Sequence, residues 1–398
     1  MPQVNKMKNI KEFFKKEAVL CVAVLLAIIS CFFVHPDKEY LNYIDFRTLA
    51  ILFSLMTVMA GLQKLNVFKE IAEGMLKRVK GERGLVLTLV LLAFFFSMLI
   101  TNDVALITFV PFTFTTLMLK GEDTYKKLVI PVVVLQTVAA NLGSMLTPIG
   151  NPQNLYLYSL SGINFFDFLK LMLPYSLISL LLIIICIYLF TAKEKSEEKV
   201  PSQDNVNYSQ RKTLTEMFAE SQTKYHSLLI MYLLLFIVAL LVVLRVLPYG
   251  VMFFLTLILV LLSDRKTLLK VDYSLLFTFI GFFIFIGNMG RLPVFANALE
   301  KIVTGREVLT SILASQVISN VPCALLLSGF TDNYESLIVG TNLGGLGTLI
   351  ASMASLISYK MVAAKENIKT GEYFKKFTLV NFVFLIILSL SYSLLSRL

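Results

Sequence analysis

The sequence predicts an all-α integral membrane protein with about 11 membrane segments, among them two re-entrant hairpins and two broken helices arranged as an inverted repeat. Three observations predict it: uncharged stretches of membrane-crossing length, basic residues gathered in alternate loops, and an order of elements that occurs twice. Hydrophobic residues fill 57% of the 398 positions and charged residues 16%, a balance that water-soluble domains do not carry. Residues 18–34, 48–63, 171–192, 227–244 and 377–395 contain no charge, and each approaches the length a helix needs to cross about 30 Å of hydrocarbon.

The formal charge of +10 comes from Lys and Arg in the loops, not from a stripe on one face. Most of the 36 basic residues fall in clusters at 6–16, 64–83, 120–127, 193–224, 265–270 and 360–376. Short cytoplasmic loops collect such residues, so the clusters put the N-terminus inside a plasma or inner membrane and give a nucleic-acid partner no support. After the first span, Phe32, Phe33, Val34, His35 and Pro36 offer no small-residue cleavage site, and the span is expected to be retained. The four cysteines, Cys21, Cys31, Cys186 and Cys323, lie in apolar segments without metal-ligand spacing. His35 and His226 sit at span ends, which leaves no Ser/His or paired-Asp constellation within the spans for an enzyme. A phosphate-binding Gly-x-x-x-x-Gly-Lys motif is also absent. No organic cofactor is expected.

The repeat is the main clue to organisation. A span ending at Met59, Ala60 and Gly61 leads to an amphipathic stretch at 66–79, an apolar segment interrupted at Thr101, Asn102 and Asp103, the block NLGSMLTPI at 141–149, and a further span. The second half repeats that order with Asn288, Met289 and Gly290, an amphipathic stretch at 293–303, an interruption at Ser319 and Asn320, and the block NLGGLGTLI at 342–350. Domain organisation follows: residues 1–40 hold the first span, and 41–192 the first repeat with a hairpin at 84–119 and a broken helix at 128–160. Residues 193–225 form a polar cytoplasmic linker and 226–264 connecting helices. Residues 265–398 are the second repeat, with a hairpin at 305–331 and a broken helix at 334–359.

Non-helical backbone at membrane depth is tolerated only where protein buries it or a cavity receives it. The two tips and two breaks therefore mark a binding site. Side-chain oxygens of Asn, Ser and Thr can replace the hydration shell of a cation, while helix N-termini after each break attract an anion. Ser97 lies four residues before Thr101 and Ser315 four before Ser319, so each sits one turn below its tip. Two symmetry-related sodium sites are expected, one at Ser97, Thr101 and Asn102, the other at Ser315, Ile318 and Asn320. Gly143, Thr147, Gly150, Asn151 and Asn154 belong to the first break, where two prolines and two glycines exclude a continuous helix. Gly344, Gly347 and Thr348 belong to the second, and Val321 completes its tip. Asp103 is the one charge of the first hairpin. It is expected either to cap the helix that follows or to bind sodium or carry a proton.

At these residues the chain resembles the ion transporter superfamily, which includes arsenite permeases, D-type sodium/proton antiporters and divalent anion/sodium symporters. The residues in question are TNDVA at 101–105, LTPIGNPQN at 146–154, ISNVP at 318–322 and GGLGT at 344–348, and they are most similar to the arsenite permease and D-type antiporter branch. The resemblance implies a homodimer whose transport domain carries the hairpins across the bilayer in an elevator motion. In the dicarboxylate symporters each tip reads Ser-Asn-Thr, and Asp103 and Val321 stand where those threonines would hold carboxylates. A small anion, moved with sodium or protons, is the expected cargo. The alternatives are a sodium/proton antiporter and an arsenite or metalloid efflux permease, the latter with a separate ATPase subunit if it pumps.

Overall fold

The computed structural model describes residues 17–191 and 219–397, and those residues form helices joined by short loops. The first half contains α1 (Ala18–Phe33), α2 (Tyr40–Tyr43), α3 (Phe46–Lys64), α4 (Val67–Leu76), α5 (Gly81–Ile100), α6 (Asn102–Leu119), α7 (Glu122–Ser144), α8 (Pro152–Ser161) and α9 (Phe165–Thr191). The second contains α10 (Ala219–Val243), α11 (Tyr249–Leu268), α12 (Tyr273–Gly290), α13 (Pro293–Val303), α14 (Glu307–Ile318), α15 (Asn320–Ser328), α16 (Tyr334–Gly344), α17 (Met353–Ala363) and α18 (Thr370–Leu395). Eight of these helices are long and apolar enough to cross a membrane: α3, α5, α6, α7, α9, α10 from Tyr225, α12 and α18. Leu181, Leu189, Ile237, Leu262 and Leu390 are each more than half exposed. In water such faces drive association, whereas hydrocarbon solvates them, and the chain is an integral membrane protein.

Most of the linker expected at 193–225 lies outside the described residues, but its last part is helical, because α10 begins at Ala219 and not near 226. The two hairpins also differ in a way that matching motifs did not announce. The arms α5 and α6 run 20 and 18 residues, α14 and α15 only 12 and 9. At 1.5 Å per residue the first pair reaches about 30 Å and the second less than 20 Å.

Local chemistry fixes the helix starts. Asp45 accepts from the Thr48 amide at 3.0 Å to cap α3, and Asp272 accepts from Leu275 at 3.0 Å to cap α12. Asn151 caps α8 through the Asn154 amide with Pro152 in the first turn, and Asn333 caps α16 through Ser336. These side chains satisfy amide donors that the first turn of a helix leaves unpaired.

Packing sorts the helices into two groups. Helices α5, α6 and α7 pack on one another, as do α14, α15 and α16. The central member is α7, with 94% of its membrane-length window buried inside the protein. Across the repeat, α6 meets α17 and α15 meets α8, so each hairpin rests on the helix that follows the other unit's break. The second group joins α1 to α12, and α3 to α10 and α11. There Lys64 at the end of α3 pairs with buried Asp264 at 2.6 Å, where α11 leaves helical geometry, and Tyr232 and Thr267 donate to the same carboxylate. Satisfying the carboxylate from three directions is what makes its burial tolerable.

Close approach of α7 to α5 depends on Gly143, where a Cβ would lie 2.0 Å from the Phe94 carbonyl oxygen. Gly344 is the counterpart against α14, its Cβ position 2.6 Å from Ser315 Oγ. Gly143→Ala is expected to destabilise the protein by about 1–3 kcal/mol through overpacking. Gly74→Ala on α4, with nothing within 4 Å, is expected to be neutral or to stabilise by up to about 1 kcal/mol from helix propensity. Thermal unfolding of the two variants in detergent separates these outcomes.

Candidate functional site

Both predicted interruptions are tips where the chain turns between helices through one residue of positive φ. Thr101 has φ 72° and ψ 150°, Ser319 φ 72° and ψ 155°. Only glycine enters that region without cost, and holding another residue there takes about 1–3 kcal/mol from the surrounding structure. That support is the same in both units. The Asn102 amide donates to Gly150 O at 3.0 Å, and the Asn320 amide to Ala351 O at 2.9 Å. Each tip is thereby tied to the break of its own unit.

The breaks lie between α7 and α8 (145–151) and between α16 and α17 (345–352), where a helix freed of its ladder must find other partners for its carbonyls. Thr147 Oγ1 donates to Met98 O, and Thr348 Oγ1 to Gln316 O at 3.1 Å, a matched pair. Beyond that the two units differ. In the first, Asn154 Nδ2 donates to the carbonyls of Ser144, Met145 and Thr147 at 3.2–3.4 Å. In the second, Gln316 reaches over from α14: its Nε2 donates to Gly344 O at 3.1 Å and Leu346 O at 2.9 Å, and its Oε1 accepts from the Thr348 amide at 2.9 Å. Gly347 has φ 102° and leaves room for that amide, since a Cβ there would lie 2.3 Å from Gln316 Oε1.

Behind the tips two asparagines exchange partners between the units. Asn141 Oδ1 accepts from Asn102 Nδ2 at 3.2 Å and from Ser352 Oγ at 3.0 Å, and Asn141 Nδ2 donates to Ser355 Oγ at 3.2 Å. Asn342 Oδ1 accepts from Asn151 Nδ2 at 3.0 Å, and Asn342 Nδ2 donates to Asn154 Oδ1 at 2.5 Å. Asn141 and Asn342 are repeat equivalents, and so are the pairs Asn151 with Ser352 and Asn154 with Ser355. Each unit therefore sends its asparagine to the other unit's cap. All six side chains are buried, where an unpaired amide would cost about 1–3 kcal/mol.

The tips meet in one crevice. Asn102 and Asp103 line it from the first, Asn320 and Val321 from the second, with Gln153 and Ser352 at the starts of α8 and α17 and Asp272 at the start of α12. Among the described residues no Lys, Arg or His lines it. Asp103 does not cap α6. Thr101 Oγ1 accepts from the Val104 amide and Asn102 Oδ1 from the Asp103 amide, while Asp103 Oδ1 is buried with no hydrogen-bond partner. Ser97 and Ser315 are fully buried one turn below the tips. Ser97 donates to Phe94 O at 2.8 Å, and Ser315 Oγ has no partner. Ile318 ends α14, and Ser319 Oγ donates weakly to Ala351 O at 3.4 Å. Gly143, Gly344, Thr147 and Thr348 support the tips from behind and do not line the crevice. Among the described residues no group of His, Cys, Asp and Glu has metal-binding geometry.

Sequence reasoning missed Asn141, Asn342, Gln316, Ser352, Ser355 and Asp272. The register of the two nine-residue blocks already aligned the first two, and extending it to Ser352 and Ser355 would have found their partners. Gln316 is the one amide side chain of the second hairpin's first arm. Asp272 offered no such signal, because α12 is distant in sequence from either tip.

The likeness to known proteins runs through both tips. A family model described as citrate transporter matches residues 13–333. An uncharacterized transporter of Methanocaldococcus jannaschii is 30% identical over 359 residues, which cover 89% of this chain and 90% of that protein. The inner membrane protein YbiR of Escherichia coli is 32% identical over 348 residues, 85% and 86% of the two chains. A silicon efflux transporter of Oryza sativa is 31% identical over 171 residues, 42% and 34%. With most of its length matched, both tips and the first break included in the family match, this chain is a multi-pass membrane transporter, not an enzyme, and it belongs to the citrate transporter family.

Proposed function

We propose that the protein is a secondary active transporter that moves a small anion together with sodium or protons by an elevator-type motion. The observation that carries this reading is the crevice in which Asn102, Asp103 and Asn320 meet, with carboxylates but, among the described residues, no cationic side chain along it. An anion about 4 Å from one carboxylate is repelled by about 4 kcal/mol at an effective dielectric constant near 20. A sodium ion or proton that neutralises Asp103 removes that repulsion, so the anion binds only after the cation. Coupling then follows from charge. Asn102 and Asn320 present carboxamides to the solute, and Asp103 is the coupling group.

The elevator part of the proposal draws on the exchange of partners by Asn141 and Asn342. Those bonds bind tips and breaks of both units into one body, which would move against α1, α3, α10, α11 and α12. Paired sodium sites behind the tips, near Ser97 and Ser315, remain part of the reading. So do a homodimer in the plasma membrane and a cytoplasmic N-terminus, the latter supported by the basic loops. A second reading, sodium/proton antiport, is favoured by the same lack of a cationic lining residue among the described residues, since a cation is then the cargo. Metalloid efflux has the support of the silicon efflux transporter among the relatives. It would present the crevice with an uncharged oxyacid and would require an ATPase subunit only if it pumps.

Uptake into proteoliposomes across a panel of small anions tests the proposal. An inward sodium or proton gradient is expected to accelerate uptake of at least one anion, and Asp103→Asn to lower that coupled uptake at least tenfold with folding retained. A sodium-driven pH change with no anion present decides for antiport. The strained tips give a second prediction. Ser319→Gly relieves the positive φ without losing a helix cap and is expected to raise the unfolding temperature, by relief of about 1–3 kcal/mol of strain. Thr101→Gly also removes the cap on Val104 and should stabilise less. Both variants are expected to transport more slowly, because glycine no longer holds the tip in a single geometry.

A further inference from the structure

The two tips are not equally free to meet a solute. Asn102 gives Nδ2 to Asn141 and takes the Asp103 amide on Oδ1, which leaves only part of its carboxamide unused. Asn320, at the matching position, is 4% exposed and lines the crevice, and its side chain makes no hydrogen bond among the described residues. The reason lies behind the tips. Asn151 and Asn154 are long enough to engage Asn342 at both ends, and Ile338 O takes the remaining hydrogen of its amide. The shorter Ser352 and Ser355 leave Asn141 able to reach Asn102 as well. A second carboxamide is also free. Gln153, in the first turn of α8, is 2% exposed, lines the crevice and makes no side-chain hydrogen bond among the described residues. The second unit does not duplicate it, since Ala354 holds the matching position.

Helix starts add backbone donors to the same place. On α6 the amides of Asn102, Asp103 and Val104 are all taken. The amides of Gln153 on α8, Val321 on α15 and Met353 on α17 have no acceptor among the described residues, and all three residues line the crevice. These helices run 10, 9 and 11 residues, and their N-terminal ends carry the partial positive charge that draws an anion. We infer that Gln153 and Asn320 form a carboxamide clamp that, with these three amides, holds a monovalent oxyanion. The inference deepens the transporter reading given above, rests on it, and makes Gln153 a specificity-determining residue.

Two features set the class of solute. Every donor is neutral, because among the described residues no Lys, Arg or His lines the crevice. A second negative charge on the solute would therefore be buried without a compensating cation. The donors are also several N–H groups, two on each carboxamide, which the oxygens of one small oxyanion can engage together. A buried carboxamide left without a partner costs stability, a cost that selection tolerates where function needs the group.

The test uses the purified full-length protein with Gln153→Met and Asn320→Leu, which remove a carboxamide and fill its space, beside Asn102→Leu. Without added oxyanion, Gln153→Met and Asn320→Leu are expected to unfold at or above the wild-type temperature, since neither loses a partner. Asn102→Leu, which takes a partner from Asn141 and from the Asp103 amide, is expected to unfold lower. Sodium formate, sodium nitrate and sodium dihydrogen phosphate are then titrated against sodium chloride at equal ionic strength, at a mildly acidic pH that keeps phosphate monovalent. A ligand of the native state raises apparent stability by mass action. At least one of the three is expected to stabilise wild type, with its midpoint at least tenfold higher in Gln153→Met and in Asn320→Leu. A wild type indifferent to all three overturns the inference, as does an unchanged midpoint in Gln153→Met or tighter binding of sodium succinate or citrate. A ligand-free Gln153→Met protein as destabilised as Asn102→Leu makes Gln153 a structural residue and overturns it too. In each of these cases coupled anion uptake into wild-type proteoliposomes, measured separately, retains the transporter while the clamp falls.

Discussion

Everything in this molecule turns on two backbone hydrogen bonds that close the gap between a tip and a break, Asn102 N to Gly150 O and Asn320 N to Ala351 O. In a bilayer no water is present to satisfy a peptide group that has left its helix. A chain that interrupts itself must bring its interruptions together or lose several kcal/mol at each. The pairing of tip with break is the smallest arrangement that meets this demand, and it places the most polar backbone of each half beside the other's. Positive φ at Thr101 and Ser319, the close passage of α7 and α16 through Gly143 and Gly344, and the asparagine exchange behind the tips all serve to keep those two bonds made.

Family membership and membrane topology class were legible in the chain because both rest on properties that a linear sequence displays directly. Uncharged runs, basic loops and recurring motifs do not need a third dimension. The tip residues were legible for a related reason: Asn102 and Asn320 stand where an apolar segment stops being apolar. What stayed hidden was set by packing between distant segments. Gln316 does for the second break what Asn154 does for the first, although the two occupy unrelated positions in the repeat. Asp272 reaches the crevice only because α12 packs beside α15. The unequal hairpin arms were hidden too, since motif spacing fixes the tip and not where each arm begins.

The role of Asp103 shows how a sequence leaves two physical options open and a structure narrows them. An aspartate beside a helix start is ordinarily a cap, and capping would satisfy its oxygens. Here Thr101 and Asn102 take the first-turn amides, which leaves a buried carboxylate oxygen with nothing to accept. Burying such a group carries a cost that a purely structural aspartate would be expected to avoid.

The different wiring of the two breaks has a mechanical consequence. In the second half a single glutamine side chain fastens the arm of the hairpin to the opened backbone at 344, 346 and 348, so arm and loop must travel as one rod. In the first half the corresponding side chain, Asn154, is bound to its own loop and leaves the hairpin arm held by fewer bonds. With each such bond worth about 1 kcal/mol net, the two halves of a duplicated frame are unequal springs, and a load applied across them bends the first before the second.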